Sequence, residues 1–275
     1  MDLLVTESEN RKRIRKVENF FGPSGTPLSV PGRVLIGEGR LVKQGRKKRA
    51  LKVFFLFNDI LVYGSIIMNG RWYKKQKLVA LADIKVEDLE DSDSVKHQWL
   101  LCTPFKSFYL SASSYEEKRG WLDHIRDCQS RLLKETDAQP GSNFAMSWIP
   151  DKAAQKCMRC LKKFTTIHRK HHCRKCGFVV CNECSKQREL IENIDSTREV
   201  RICKVCSTRD DEDNDNEDND NSRQRGDSSG MQSCEEEEGA TSGDEDQMQT
   251  SSTWLDTKDC TWMGLSPFLY SEAQD

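Results

Sequence analysis

Residues 157–206 read CMRCLKKFTTIHRKHHCRKCGFVVCNECSKQRELIENIDSTREVRICKVC. Four CxxC pairs stand in this stretch: Cys157/Cys160, Cys173/Cys176, Cys181/Cys184 and Cys203/Cys206, separated by 12, 4 and 18 residues. A CxxC turn places two thiolates on one side of a metal, which is half of a tetrahedral zinc site. Four such halves make two closed sites with no open coordination position. Closed Cys₄ sites are structural rather than catalytic, and a small module built on them depends on the metal for its fold. Spacing alone leaves open which pairs share a metal. His171 and His172 also belong to a metal-binding residue type, but eight thiolates already fill two tetrahedra. The other four of the twelve cysteines, Cys102, Cys128, Cys234 and Cys260, lack metal spacing and read as free thiols.

Between the first two pairs the chain is strongly basic. Arg169, Lys170, His171, His172 and Arg174 occupy six consecutive positions around Cys173. In an extended conformation alternate side chains share a face, which would gather these groups into an anion pocket. Arg supplies a planar fork suited to phosphate, and His supplies ring N–H donors and a charge below about pH 6.5. Arg201 stands just before the last pair, where zinc would tie it to the same region. Residues 148–206 carry 14 Lys/Arg against 6 Asp/Glu, a surplus that favours an anionic membrane leaflet.

WIPD (148–151), RKHHCRKCG (169–177) and RIC (201–203) resemble the three signature motifs of FYVE zinc fingers. The resemblance covers about sixty residues. It implies two structural Zn²⁺ ions held in a cross-brace. Cys157, Cys160, Cys181 and Cys184 would hold one ion, and Cys173, Cys176, Cys203 and Cys206 the other. It implies a pocket for phosphatidylinositol 3-phosphate made of Arg169, Lys170, His171, His172, Arg174 and Arg201. Asp151 would accept hydrogen bonds from inositol hydroxyls. Trp148 is expected to pack against the finger rather than touch lipid. Lys170 stands where many members have Arg, which keeps the charge and loses the fork. Phe164–His168 matches the family's membrane-insertion loop, with Thr166 and Ile167 at its tip.

Upstream, residues 33–111 are rich in β-branched and aromatic residues bounded by turn residues. The runs are VLIGEGRLVK (34–43), KVFFLF (52–57), DILVYGSIIM (59–68), LVAL (78–81), WLLCT (99–103) and SFYLSA (107–112). Asn58-Asp59 separates two of them, and Asn69-Gly70 is the strongest short hairpin signal in the chain. Residues 113–134 change period. Ser113 and Glu116 form a candidate capping box, and Trp121, Leu122, Ile125, Cys128 and Leu132 then recur on one helical face. About seven antiparallel strands and one amphipathic helix are expected, the helix plugging an open end of the curved sheet and burying Trp121. This layout resembles a pleckstrin-homology (PH) domain. Such domains often bind phosphoinositides through basic residues after the first strand. KQGRKKRALK (43–52) places Lys43, Lys47, Lys48, Arg49 and Lys52 there, matching the pattern loosely.

The expected fold class is α+β multidomain. Residues 1–32 form an N-terminal lead whose NRKRIRKVENFF segment reads as an amphipathic helix ended by Gly22 and Pro23. Residues 33–134 form a β-barrel-like PH domain capped by its helix, 135–147 a linker, 148–207 the finger, and 208–275 a disordered acidic tail. From residue 210 on, 12 Asp and 8 Glu face 2 Arg and 1 Lys, so the net charge of −1 hides a basic body and an acidic tail. A late apolar cluster, WLDTKDCTWMGLSPFLY, reads as a short partner-binding segment with no template.

No run of about 18 apolar residues offers a membrane span, and the N-terminus lacks a secretory h-region. Lipidation motifs are absent from the sequence. Membrane contact is therefore expected to be peripheral. The domain order, with VPGRVLIGEG (30–39) and FFLFNDILVYGS (54–65), resembles the phafin family over residues 1–207. That resemblance implies a non-enzymatic cytoplasmic adaptor on early endosomes and lysosomes, acting in trafficking, autophagy or apoptosis. It implies phosphatidylinositol 3-phosphate as ligand, other phosphoinositides through the first domain, and Rab-family GTPase machinery among the partners. No P-loop, nucleophile elbow or open metal site argues for catalysis. The rivals are a zinc-finger scaffold that binds no lipid, a RING-like ubiquitin ligase, and a nucleic-acid binder. The last lacks a recognition helix and carries an acidic tail, so nucleic acid is not an expected partner.

Overall fold

The computed structural model describes residues 2–67, 72–93, 95–208, 252–256 and 261–263. The β-branched runs form seven antiparallel strands. These are β1 (Leu35–Gln44), β2 (Arg49–Phe57), β3 (Ile60–Ile67), β4 (Trp72–Ala80), β5 (Lys85–Asp88), β6 (Gln98–Cys102) and β7 (Phe108–Ser111). They lie in the order β4-β3-β2-β1-β7-β6-β5. β1 is shared: its whole length pairs with β2, while Val42 and Lys43 pair with Ser111 and Leu110 of β7. The Asn69-Gly70 turn lies outside the described residues, but the strands flanking it pair antiparallel down to Ile67 opposite Trp72.

The helix expected after the strands is α2 (Tyr115–Thr136). Its capping box sits one residue beyond the expected Ser113 and Glu116. The Ser114 hydroxyl accepts from the Glu117 amide at 3.1 Å, and the Glu117 carboxylate reaches back to the Ser113 amide at 2.8 Å. Two serines in a row made either reading possible, and the strand end at Ser111 selects the later one. Trp121, Leu122, Ile125 and Cys128 plug the barrel against Phe54, Leu56, Trp99, Leu101 and Leu110. Trp121 is 1% exposed, as expected of the plugging residue.

β2 explains a feature of its own sequence. Val53 through Phe57 are five consecutive fully buried apolar residues. Strand alternation sends Phe54 and Leu56 into the barrel core and Val53, Phe55 and Phe57 to the other face. That second face is covered by α1 (Asp2–Phe21), whose Ile14, Val17 and Phe21 stripe packs on it. Gly22, at φ +69°, ends α1 in the left-handed conformation that glycine adopts without strain.

The finger holds two small antiparallel pairs, β8 (His171–His172) with β9 (Val179–Val180) and β10 (Arg188–Ile191) with β11 (Asp195–Arg201). A short helix, α3 (Lys204–Thr208), follows. The linker is pinned to the PH domain rather than free. Gly141 donates to Ala82 and Ala145 to Thr103, at 2.9 and 3.0 Å, and Ser107 donates to the Ala145 carbonyl.

Most of residues 208–275 lie outside the description, but the late apolar cluster does not entirely. β12 (Thr253–Asp256) pairs with β1, Gly37 opposite Trp254 and Glu38 opposite Thr253, and β13 (Thr261–Met263) pairs with β12. The partner of this segment is the chain's own PH domain.

Candidate metal centre and headgroup site

The cysteine pairs converge as a cross-brace. The sulfurs of Cys157, Cys160, Cys181 and Cys184 lie within 4.8 Å of one another, and so do those of Cys173, Cys176, Cys203 and Cys206. The second and fourth pairs are therefore joined across the third. A tetrahedron with Zn–S bonds of about 2.3 Å has edges of about 3.8 Å. The Cys160–Cys181 and Cys176–Cys203 sulfur separations are 3.8 and 3.9 Å. The donor set, its four-fold grouping and these edges fit two zinc ions.

The surroundings favour the thiolate at one cysteine of each site, Cys157 and Cys173, while burial and the neighbouring sulfurs raise Cys176, Cys181, Cys184 and Cys206. The Cys181 amide donates to the Cys157 sulfur at 3.3 Å, and the Cys203 amide to the Cys173 sulfur at 3.2 Å. Burial pushes the Cys157 thiol up, but the amides of Cys160, Cys181 and Arg159 outweigh it and hold it at about 6. Cys173 is held at about 4, chiefly by the hydrogen bond from Cys176 and then by neighbouring amides. Arg159 lies inside the first CxxC turn yet serves the second site. Its Nε and Nη2 donate to Cys203 and Cys176 sulfurs at 3.2 and 3.4 Å. A Cys₄ zinc site carries two net negative charges, and Arg159 offsets part of that charge while joining the sites. Outside the sites, burial pushes the Cys128 thiol up to about 11, as suits an inert free thiol in the core. Cys234 and Cys260 lie outside the described residues.

The basic residues gather on and around β8. His172 is 2% exposed, and its Nε2 donates to the Ile149 carbonyl at 2.8 Å. Its ring stacks on Trp148 at 4.9 Å, and the Arg174 guanidinium lies over the same indole at 4.1 Å. Trp148 thus packs against the finger, as expected. Lys170 shares the inner face with His172 by strand alternation, and its Nζ donates to the Asp151 carbonyl at 2.5 Å. Asp151 Oδ1 lies 3.7 Å from His172 Nε2. The Arg174 amide donates to the Arg201 carbonyl at 2.8 Å, which brings the last motif beside the second. Arg201 in turn holds the Ser185 carbonyl at 2.6 Å. Arg169 is exposed and His171 half-buried. Burial lowers the His172 pKa, against the opposing effects of the Ile149 hydrogen bond and the Asp151 charge. Two buried polar atoms in this cluster, His172 Nδ1 and Asp151 Oδ1, have no hydrogen-bond partner.

Beside the cluster, a tight turn presents Ile167 to solvent. Thr165 and His168 close it, with N···O distances of 3.1 and 3.0 Å. Thr166 is exposed and Ile167 is 87% exposed.

The FYVE zinc finger family matches residues 147–211, and the PH domain family matches residues 35–130. Pleckstrin homology domain-containing family F member 1 of Homo sapiens is 48% identical over 207 residues, covering 75% of this chain and 74% of that protein. Member 2 of Gallus gallus is 47% identical over 207 residues, covering 75% and 83%. The chain belongs to this family, the phafins. A phafin's two lipid-binding folds in tandem make it a phosphoinositide-binding adaptor of membrane surfaces. Among the described residues no helix is long and apolar enough to cross a membrane.

The phafin PH residues expected to bind lipid do not form one cluster. Lys47, Lys48 and Arg49 are exposed at the β1–β2 turn. Arg49 pairs across the ladder with Gln44, on the face opposite Lys43 and Lys52. Lys43 is 8% exposed, with its ammonium 3.8 Å from the Phe108 ring centroid, and Lys52 donates to Ser65 at 2.8 Å. Two residues absent from the sequence expectations matter here. Arg159 was legible in principle, as the one cation between the first cysteines. Arg46 was not. Its carbonyl accepts from the Asp151 amide at 3.1 Å and its Nε lies 3.5 Å from Asp151 Oδ2, joining the PH turn to the finger's first motif. Between them a cleft of about 580 Å³ is lined by Arg46, Lys47, Lys48, Tyr109, Pro150 and Lys152 among others.

Proposed function

We propose that this phafin binds phosphatidylinositol 3-phosphate through its finger and is recruited by it to endosomal and lysosomal membranes. There it serves as an adaptor in trafficking, autophagy or cell death, without catalysis of its own. The observation that carries the reading is the pair of unpartnered buried atoms, His172 Nδ1 and Asp151 Oδ1, in residues whose carbonyls are held by Arg174 and Lys170. Buried polar atoms without partners are rare in folded proteins. Here an inositol ring would supply hydroxyls to both, while the cations meet its phosphates. The exposed Ile167 beside them gives the bilayer its own contact. The exposed lysines of the PH turn add a second, weaker anionic contact, and tethering makes the two cooperate.

Liposome co-sedimentation across the phosphoinositide isomers tests this, comparing wild type with Arg169→Ala. Arg169 is exposed and makes no contribution to the zinc sites, so the variant keeps its fold. Selectivity for the 3-phosphate that falls in the variant is the expected result. Equal binding to several isomers that survives the change would move the membrane contact to the PH domain.

A further inference from the structure

β12 fills a gap that the PH fold leaves open. Near its end β1 pairs with β7 at Val42 and Lys43, but among the described residues its first half meets no strand of the barrel on that side. Thr253–Asp256 adds there, with Thr253 completely buried. The receiving surface is shaped for this segment. A Cβ at Gly37 would lie 2.2 Å from the Trp254 ring, and one at Gly39 would lie 2.3 Å from the Ser252 hydroxyl oxygen. A Cβ at Gly120, on α2, would meet the Trp254 indole nitrogen at 3.3 Å. Three glycines on two elements thus stand where the segment needs their missing side chains. Trp254 stacks on the His124 ring at 4.0 Å and meets Trp121 edge-on at 4.8 Å. The polar atoms agree. The buried Trp121 indole N–H donates to Ser252 at 2.9 Å, Ser252 donates to Glu117 at 2.5 Å, and Thr253 donates to Glu38 at 3.4 Å.

We propose that the β1–α2 groove is a strand-docking site for an extended Ser-Thr-Trp peptide, occupied in cis by residues 252–256 of this chain. The registered contact with β1 is only two residue pairs, and 43 residues separate the segment from the last described residue of the finger. A contact this small is held by its tether, which keeps the segment at an effective concentration of about millimolar. The site therefore exchanges, and an added peptide of the same pattern competes for it.

The test uses the full chain and a labelled peptide of sequence QTSSTWLDTK, residues 249–258. Trp254→Ala empties the groove without altering it, so this variant binds the peptide. Wild type binds it at least about tenfold more weakly, because the groove is already filled. Adding Gly37→Ala to the Trp254→Ala chain abolishes peptide binding, since the new methyl occupies the space of the indole. Amide exchange on the same proteins reads the cis contact directly. Residues 253–256 are protected in wild type and unprotected in Trp254→Ala, with α2 unchanged. Equal peptide binding by wild type and Trp254→Ala would overturn the proposal, as would no binding to Trp254→Ala. Protection of residues 253–256 that rises with protein concentration would assign the strand to a second copy and overturn occupation in cis.

Discussion

Replacing Ile167 by Gln separates membrane insertion from headgroup recognition. Ile167 is 87% exposed and, among the described residues, is not part of the finger's buried cluster. The turn that carries it is closed by Thr165 and His168, so the substitution leaves the turn's hydrogen bonds in place. Stability is expected to change by less than about 0.5 kcal/mol. Membrane affinity is another matter. Moving one isoleucine side chain from water into an apolar phase contributes about 1.5–3 kcal/mol. At about 1.4 kcal/mol per factor of ten, Ile167→Gln weakens binding to 3-phosphate liposomes by about tenfold to a hundredfold. Binding of the soluble headgroup, inositol 1,3-bisphosphate, stays within about twofold of wild type, because no polar contact is lost. The two measurements are liposome sedimentation and calorimetry on the same preparations. Added salt offers an internal check. It weakens the attraction of exposed lysines over a screening length of about 10 Å at 0.1 M, and leaves the isoleucine contribution unaltered. The ratio of wild-type to variant affinity should therefore hold from low to physiological salt. Unchanged liposome affinity, or a parallel loss of soluble headgroup binding, would refute an inserting role for this turn.

Metal removal by a strong chelator should unfold the finger and spare the PH domain. The finger's buried cluster consists of five cysteines with Val180 and Ile202, so almost nothing but zinc ligation holds it. Zinc in such modules contributes about 10–16 kcal/mol. Backbone NMR signals of residues 157–206 should collapse while those of β1–β7 and α2 persist, and simultaneous loss of both would contradict independent cores. Arg159→Ala removes both N–H···S contacts to the second site. Zinc affinity there should fall by about ten- to a hundredfold, with the first site unchanged, as measured by competition with a chromophoric chelator. Equal weakening of both sites would show that Arg159 acts through the fold of the finger and not through its sulfur contacts.

The parts of the fold legible in the sequence are those whose cause is local. A CxxC pair announces half a zinc site because the turn geometry lies within four residues. The pairing of halves is not local, since spacing fits more than one arrangement, and only family resemblance supplied the cross-brace. The plugging helix was legible from Trp121, Leu122, Ile125 and Cys128, while its first residue was misplaced by one because Ser113 and Ser114 both suit a cap. The lipid pocket was legible as a set of residue types. Its division of labour was not. His172 reads as one of two equivalent histidines, yet strand alternation buries it against Trp148 and leaves His171 half-exposed.

What escaped the sequence were contacts between segments that each satisfy local rules alone. Arg46 belongs to an ordinary basic turn, and Asp151 to a signature motif, and nothing in either announces that they meet at 3.5 Å. Glu38 is the fuller case. It is 5% exposed in the middle of β1, a position where a carboxylate needs partners. Its oxygen lies 3.4 Å from Arg13 of α1 and accepts from Thr253 of β12 at 3.4 Å. Residues far apart in the chain, Arg13 of α1 and Thr253 of β12, therefore close on one buried carboxylate. Burial lowers the Arg13 pKa, against the opposing charge of Glu38. Read along the sequence, Glu38 with Gly37 and Gly39 is simply part of the first β run. In the fold, the glycines admit the strand and the glutamate ties it down.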